Sequence, residues 1–260
     1  MIVKAVETIQ EELQAHAVPE TREWWESYLK GAIRFRGVKM AGIRRVVHEW
    51  HDAEGHQWKP TRLRDLSVSL IQQEPAEDKL AGILLIQEIL LPAGVIPWRT
   101  EVKRWARLFD DGFISDWNTC DWFCIRVLGP LAAAEGEDCA RAIAAWRRAR
   151  NLWRRRAAGV GFVTLAPKGE ANFPGFTAMV LEVCDSTARH PERFAQTGTG
   201  WVLRELSDAE PSRVAGFVAE HLDQMSREAV RMSVARLADA DRSRLLSAHG
   251  ADPNSRRRRR

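Results

Sequence analysis

Hydrophobic positions recur at three- and four-residue intervals along most of the chain, with polar residues between them. This spacing places the apolar side chains on one face of a helix, so it predicts amphipathic helices rather than strands. Residues 160–165 come nearest to a β-type run, but they continue a helical segment. The pattern predicts helices over residues 2–17, 20–29, 39–50, 62–73, 76–90, 102–108, 117–128, 137–149, 152–165, 176–187, 192–206, 211–221 and 226–237.

Glycine and proline separate the predicted helices, at Gly55, Pro75, Pro92-Ala93-Gly94, Asp111-Gly112, Gly129-Pro130, Pro167-Lys168-Gly169 and His190-Pro191. Helices of about 10–15 residues joined by short loops predict stacked helix pairs, the arrangement of a helical-repeat solenoid. A compact helical bundle is the alternative, because no strict internal repeat is visible. We therefore expect an all-α fold, with one helical-repeat domain over residues 1–240 and a basic, disordered tail over residues 241–260.

The composition is that of a soluble globular protein, with 45% hydrophobic and 28% charged residues among 260. No apolar run is long enough to span a membrane, and the first residues do not resemble a secretory leader. The four cysteines lack the spacing of a zinc site, and we expect Cys120 and Cys124 to be reduced and buried. These features favour a cytoplasmic protein.

The basic residues are unevenly distributed. The net charge is +4, but Arg256–Arg260 supply five positive charges, so residues 1–255 together carry −1. Residues 30–45 hold six basic residues and residues 141–156 hold seven arginines, and neither stretch contains an acid. A charge run is often only a solvated face, but such faces usually mix signs. The two stretches therefore predict local patches that bind a polyanion.

Trp117 and Asp121 form the most informative short motif. Residues four apart share one face of a helix, so an indole and a carboxylate would stand side by side. Near a cationic groove, this pairing suits a reaction that builds positive charge on a sugar, although the spacing alone is common by chance. Most of the eleven tryptophans fit core packing, including Trp24, Trp50, Trp105 and Trp146.

Several segments together resemble one family over residues 5–238: the DNA alkylation repair glycosylases of the AlkD type, built from HEAT-like helical repeats. The segments that carry this resemblance are Tyr28-Leu29-Lys30 with Phe35-Arg36-Gly37-Val38, Trp117-x-x-x-Asp121, Asn151-x-Trp153-x-x-Arg156-Ala157-Ala158, Gly200-Trp201-Val202-Leu203-Arg204-Glu205, and Met225-Ser226-Arg227-Glu228-Ala229. The order and spacing of these segments are more specific than any one of them.

The resemblance implies a curved solenoid whose concave face grips double-stranded DNA. It also implies hydrolytic excision of cationic N3- and N7-alkylated purines, such as 3-methyladenine and 7-methylguanine, without base flipping. The catalytic residues would be Asp121, Trp117 and Trp201. The expected DNA-binding residues are Arg156, Arg204, Arg155, Arg154, Lys30 and Tyr28. We expect a monomer that needs no metal or cofactor and associates with the nucleoid when it is on DNA.

The residues suit this chemistry. An alkylated purine with a positive charge is already a good leaving group, so the reaction needs no general acid. It does need stabilisation of an oxocarbenium-like sugar and a water molecule. Asp121 would supply the negative charge and orient the water. The Trp117 and Trp201 faces would contribute cation–π attraction of about 0.5–2 kcal/mol per contact. Because no lysine neighbours these motifs in sequence, we expect a monofunctional glycosylase.

Other interpretations remain open. The chain could be a catalytically silent helical-repeat module that binds nucleic acid or protein. It could also be a self-resistance glycosylase specialised for bulky natural-product adducts. Arg156 could be an ordinary surface arginine or one paired with an aspartate, and Arg204 could simply pair with Glu205. Asp116 stands where family members often carry a second aromatic residue, which leaves the size of the substrate undecided.

Overall fold

The computed structural model describes residues 1–251, and every regular element in that range is helical. Each helix predicted from the hydrophobic pattern has a counterpart, so the all-α prediction is confirmed. The described residues form two compact units, one over residues 1–127 and the other from residue 128 onward. The prediction of a single domain over residues 1–240 stays a prediction.

The first unit contains α1 (Ile2–Ala15), α2 (Pro19–Tyr28), α3 (Met40–Ala53), α4 (Pro60–Ile71), α5 (Ala76–Leu84), α6 (Trp98–Asp110) and α7 (Trp117–Phe123). A π-helical segment, Leu85–Leu90, continues α5. Helix α5 packs against α3, α4 and α7, and α1 packs against α3 and α4. Leu13, Ile43 and Leu66 are among the fully buried side chains of this core.

Two acidic residues at the start of α5 hold the loop that follows α2. The buried Glu77 carboxylate accepts backbone N–H bonds from Gly37 at 2.8 Å and Val38 at 3.0 Å. Asp78 binds the Arg36 guanidinium at 2.6 and 3.0 Å. Gly37 has φ of 100°, and a Cβ there would collide with the Val18 carbonyl oxygen, so the position requires glycine. This explains the Phe35-Arg36-Gly37 segment in structural terms.

The second unit contains α8 (Gly129–Glu135), α9 (Glu137–Ala144), α10 (Leu152–Val160), α11 (Phe176–Ala188), α12 (Arg193–Leu206), α13 (Pro211–Glu220), α14 (Arg227–Ser233) and α15 (Asp239–Ala251). Helix α12 packs against α10, α11 and α14. A Cβ at Gly200 would lie 2.8 Å from the Ala229 carbonyl oxygen, so glycine lets α14 approach the backbone of α12 closely.

Two sequence interpretations need correction in this unit. Gly129-Pro130 was expected to break a helix, but α8 begins there with the proline in its first turn. Leu128 before it already has helical backbone angles, so the Gly129-Pro130 pair does not end the helical run there.

The start of the disordered tail was also predicted too early in the sequence, at residue 241. Residues 239–251 form α15, in which Leu245 is buried and the buried His249 ring hydrogen-bonds the Met225 carbonyl oxygen at 3.0 Å. Asp239 and Asp241 in its first turn suit the positive end of the helix dipole. Arg256–Arg260 lie outside the described residues.

Candidate active site

Trp117 and Asp121 both lie on α7, as the sequence predicted. The helix begins directly after Asp116, whose buried carboxylate accepts the backbone N–H of Thr119 at 2.8 Å. Aspartate is a favoured N-cap because it satisfies an N–H that the helix itself leaves unbonded. Asp121 is buried and Trp117 is half-buried. The sequence Ser115-Asp116-Trp117 thus fixes where the motif helix starts.

The indole of Trp117 belongs to an aromatic cluster made of Trp24, Trp25, Tyr28, Phe35 and Trp117. Tyr28 meets the Trp117 ring edge-on, with ring centroids 5.7 Å apart. Trp24 stacks on Tyr28 at 5.2 Å, and Trp25 stacks on Phe35 at 5.6 Å. The structure therefore brings Tyr28 and Trp117, two predicted site residues, into contact.

The outer rings of the aromatic cluster face solvent. Trp24 is 58% exposed and Tyr28 is 52% exposed. The interpretation of Trp24 as a core residue is therefore wrong, whereas Trp50, Trp105 and Trp146 are buried as expected. Trp24 lies four residues before Tyr28, so the two side chains share one face of α2. The hydrophobic pattern alone could not show that no other element packs over this face among the described residues.

Lys30, a predicted DNA-binding residue, is exposed just beyond the end of α2. Its backbone adopts a left-handed conformation, with φ of 53°, and its N–H donates to the Ser27 carbonyl oxygen at 3.1 Å. The chain turns at this position and enters the loop that leads to Phe35. Tyr28 and Lys30 therefore flank the C-terminal end of α2.

A buried lysine lies close enough to Asp116 to interact with it electrostatically. Burial raises the pKa of Asp116, and the bond from Thr119 and the charge of Lys79 oppose that rise. Burial lowers the pKa of Lys79, whose amine donates to the Ile71 carbonyl oxygen at 3.0 Å. No lysine accompanies the motif along the chain, but in three dimensions α5 carries Lys79 towards α7.

Trp201 lies half-buried on α12, and its indole Nε1–H donates to Glu205 Oε1 at 3.2 Å. Arg204 donates to the same oxygen from Nε at 3.0 Å and from Nη2 at 2.7 Å. Arg236 Nη1 lies 2.7 Å from Glu205 Oε2. The salt bridge between Arg204 and Glu205, which the sequence left as an alternative, is therefore present. That pairing was the only role that the sequence suggested for Glu205, and it suggested none for Arg236.

The three arginines of α10 have different surroundings. The buried Arg156 donates from Nη1 to the Phe194 carbonyl oxygen at 2.8 Å and to Thr197 Oγ1 at 3.2 Å. Arg154 is half-buried, with its guanidinium 5.6 Å from the centroid of the Trp146 ring.

Arg155 is also buried, and its guanidinium binds Glu192 at 2.5 Å and the carbonyl oxygens of Ala149 and Arg150 at 2.9 and 2.6 Å. These bonds hold the turn that precedes α10. They give Arg155 a structural role that the sequence interpretation, which expected a phosphate contact, did not foresee.

Among residues 1–251, no helix is long and apolar enough to cross a membrane. The same residues contain no group of three or more His, Cys, Asp or Glu side chains placed to hold a metal ion. All four cysteines are reduced and buried, which confirms the expectation for Cys120 and Cys124.

A family model described as "DNA alkylation repair enzyme" matches residues 9–237. The chain belongs to this family. DNA alkylation repair enzymes act on DNA damage, so the match supports a role in alkylation repair with DNA as the substrate. No curated protein matches the chain.

The fold is similar to that of a solved structure described as a predicted DNA alkylation repair enzyme from Enterococcus faecalis. The TM-score is 0.72, the sequence identity is 20%, and the alignment covers 86% of this chain and 98% of the other. At this identity the similarity concerns the fold, and it confirms the predicted helical fold class of a DNA alkylation repair enzyme.

Proposed function

We propose that the protein is a DNA glycosylase that hydrolyses the N-glycosidic bond of cationic N3- and N7-alkylated purines in duplex DNA, without flipping the base. The observation that carries the proposal is the placement of Asp121. This carboxylate is buried on α7, one helical turn from an indole that joins the exposed aromatic cluster. Membership of the DNA alkylation repair enzyme family supports the same conclusion.

The chemistry requires stabilisation of positive charge more than proton transfer. The C1′–N bond breaks with its electron pair leaving on the purine, which neutralises the positive charge of the alkylated base. The sugar becomes oxocarbenium-like, and water then adds at C1′ and loses a proton. Asp121 stabilises the sugar cation, orients the attacking water and accepts its proton. Because the base departs as a neutral species, no acid is needed to protonate it.

We assign Trp117 and Trp201 to contacts with the cationic base and sugar. An indole face attracts a nearby cation through its quadrupole, and this attraction is stronger when water is excluded. Both side chains are half-buried, which leaves part of each ring accessible while the rest is packed. Tyr28 supports the Trp117 ring at its edge and presents its own exposed face.

DNA binding is assigned to Arg156, Arg154, Arg204, Lys30 and Tyr28. The Arg204 side chain is 33% exposed despite its ion pair, so part of the guanidinium remains accessible to a phosphate. Positively charged side chains on phosphates release counterions, so binding should weaken as the salt concentration rises. Arg155 and Arg156 are both buried and bonded within the fold, so either one would contact a phosphate only by exchanging some of these bonds.

The deciding experiment incubates the protein with methylated duplex DNA and measures free 7-methylguanine by chromatography. The proposal predicts time-dependent release and a matching number of abasic sites. Salt-sensitive DNA binding without release of any alkylated base would favour a silent binding module instead. Borohydride added during the reaction should trap no covalent adduct, and a trapped adduct lost in Lys79→Ala would contradict the monofunctional mechanism.

A further inference from the structure

The carboxylate of Glu205 receives an unusual concentration of hydrogen-bond donors. Its Oε1 accepts the Trp201 indole N–H and two guanidinium N–H groups of Arg204, and its Oε2 lies 2.7 Å from Arg236 Nη1. The side chain is only 12% exposed. Arg236 is itself held by Asp208 at 2.6 Å. These contacts immobilise Glu205 within the second unit.

A fixed carboxylate has two effects on the indole next to it. The Nε1–H is the only hydrogen-bond donor of a tryptophan side chain, so a bond to a fixed acceptor restricts the rotation of the ring. Hydrogen bonds to ionised groups are also stronger than neutral ones. An anion at the N–H pushes electron density into the ring, and this makes the indole face more attractive to a cation.

We propose that Glu205 is a positioning residue for base excision, which acts through Trp201 by fixing its indole and enriching the ring face for a cation. This inference rests on the proposed function, since it needs Trp201 to contact the cationic base or sugar. Arg204 and Arg236 hold the carboxylate in place. Together with Asp208 they form a charge-balanced group of two cations and two anions.

The balance of charges gives the proposal a distinctive consequence. Removing the Glu205 carboxylate loosens Trp201, but it also takes a partner from Arg204 and from Arg236 and adds net positive charge to this surface. The rate of base release should therefore fall while affinity for DNA is kept or increases. A residue that served only folding would lower both quantities together with the melting temperature.

The test compares single-turnover release of 7-methylguanine by the wild type, Glu205→Ala, Glu205→Gln and Trp201→Ala. We expect Glu205→Ala to slow release about ten-fold at saturating protein, with DNA affinity unchanged or tighter. Glu205→Gln should stay within about three-fold of the wild type, because the amide oxygen still accepts the indole N–H. Asp208→Asn, which removes a partner of Arg236 but none of Trp201, serves as the matched control and should release base at the wild-type rate.

The double variant Trp201→Ala/Glu205→Ala shows whether Glu205 acts through the indole. It should be no slower than Trp201→Ala alone, because the two changes remove one shared interaction. The proposal would be overturned if the double variant were slower than Trp201→Ala by the full factor that Glu205→Ala loses alone. Unchanged release by Glu205→Ala would also overturn it.

Nuclear magnetic resonance of the indole N–H groups separates this inference from the proposed function. The Trp201 signal, assigned by its loss in Trp201→Phe, should shift and exchange faster with solvent in Glu205→Ala. If the wild type releases no base, the proposed function fails regardless of this signal. If base is released but the signal is unaffected by Glu205→Ala, the positioning role fails alone.

Discussion

The two units each contain a tryptophan four residues before a carboxylate, Trp117 with Asp121 on α7 and Trp201 with Glu205 on α12. On α12 the carboxylate accepts the indole N–H and is held by two arginines. On α7 the indole packs among aromatic rings, and the carboxylate is buried in a helix whose first turn is capped by Asp116. The same spacing therefore occurs once with the indole bonded to its carboxylate and once with the indole packed among aromatic rings.

This difference shows that spacing places two side chains on one helix face but does not assign their roles. The Glu205 oxygens are already occupied by the indole N–H and two guanidinium groups, so little of this carboxylate is open to a new cation. Such a carboxylate is well suited to hold a neighbouring indole. We therefore assign positioning to Glu205, whereas the charge-stabilising role of Asp121 comes from the proposed mechanism.

The largest expected effect comes from neutralising Asp121, and the same change at Glu205 serves for comparison. Asp121→Asn should slow release of 7-methylguanine by about 100-fold or more, because it removes the charge that stabilises the transition state. Glu205→Gln, which makes the same chemical change on α12, should slow it only a few-fold. Single-turnover release checks both, with DNA binding measured in parallel. Equal losses in the two variants would erase the distinction between the motifs.

A smaller effect should separate the two tryptophans. Phenylalanine at either position keeps an aromatic face but lacks an N–H group. Trp201→Phe also loses the bond to Glu205, so it should be about five-fold slower than Trp117→Phe in base release. Release rates of the two variants under identical conditions provide the measurement. A slower Trp117→Phe would show that the indole N–H matters more on α7 than on α12.

Stability should depend on the cap of α7. Asp116→Ala removes the acceptor for the Thr119 N–H and should lower the free energy of unfolding by about 1 kcal/mol. Asp116→Asn keeps a capping oxygen and should lower it less. Urea unfolding of both variants checks this. If the alanine variant is as stable as the asparagine variant, the cap does not hold the start of the motif helix.

The smallest effect is a change in the pH dependence of stability. Burial raises the pKa of Asp116, so the folded protein binds this proton more tightly than the unfolded chain does. The resulting stabilisation is complete below the ordinary pKa of aspartate and is lost as pH rises through the raised value. As pH rises through this range, urea unfolding should show the wild type losing stability relative to Asp116→Asn.

Asp185 provides a control of opposite sign. Its hydrogen bond with Arg189 holds the pKa of Asp185 below the ordinary value. The stabilisation is therefore present above that ordinary value and is lost as pH falls through the lowered one. Relative to Asp185→Asn, the wild type should lose stability on acidification. The same direction of change at Asp116 and Asp185 would contradict the cause given for the raised pKa.

The helical fold was predictable because apolar periodicity depends on local sequence, and so were the positions of Trp117, Asp121 and Trp201 on helices. The contacts of these residues were not, because they come from parts of the chain far apart in sequence. Lys79 approaches Asp116 through the packing of α5 against α7. Arg236 reaches Glu205 from beyond α14. Trp24 was misassigned because a hydrophobic residue on a helix gives no sign of whether another element covers it.

The charge of the departing base provides the most direct test of the proposed mechanism. The same duplex should be prepared with one 7-methylguanine or one hypoxanthine, and base release followed under single-turnover conditions. Because the mechanism supplies a carboxylate for the sugar cation but no acid for the base, it predicts release of the cationic 7-methylguanine and retention of the neutral hypoxanthine. Comparable release of the two bases would contradict the mechanism.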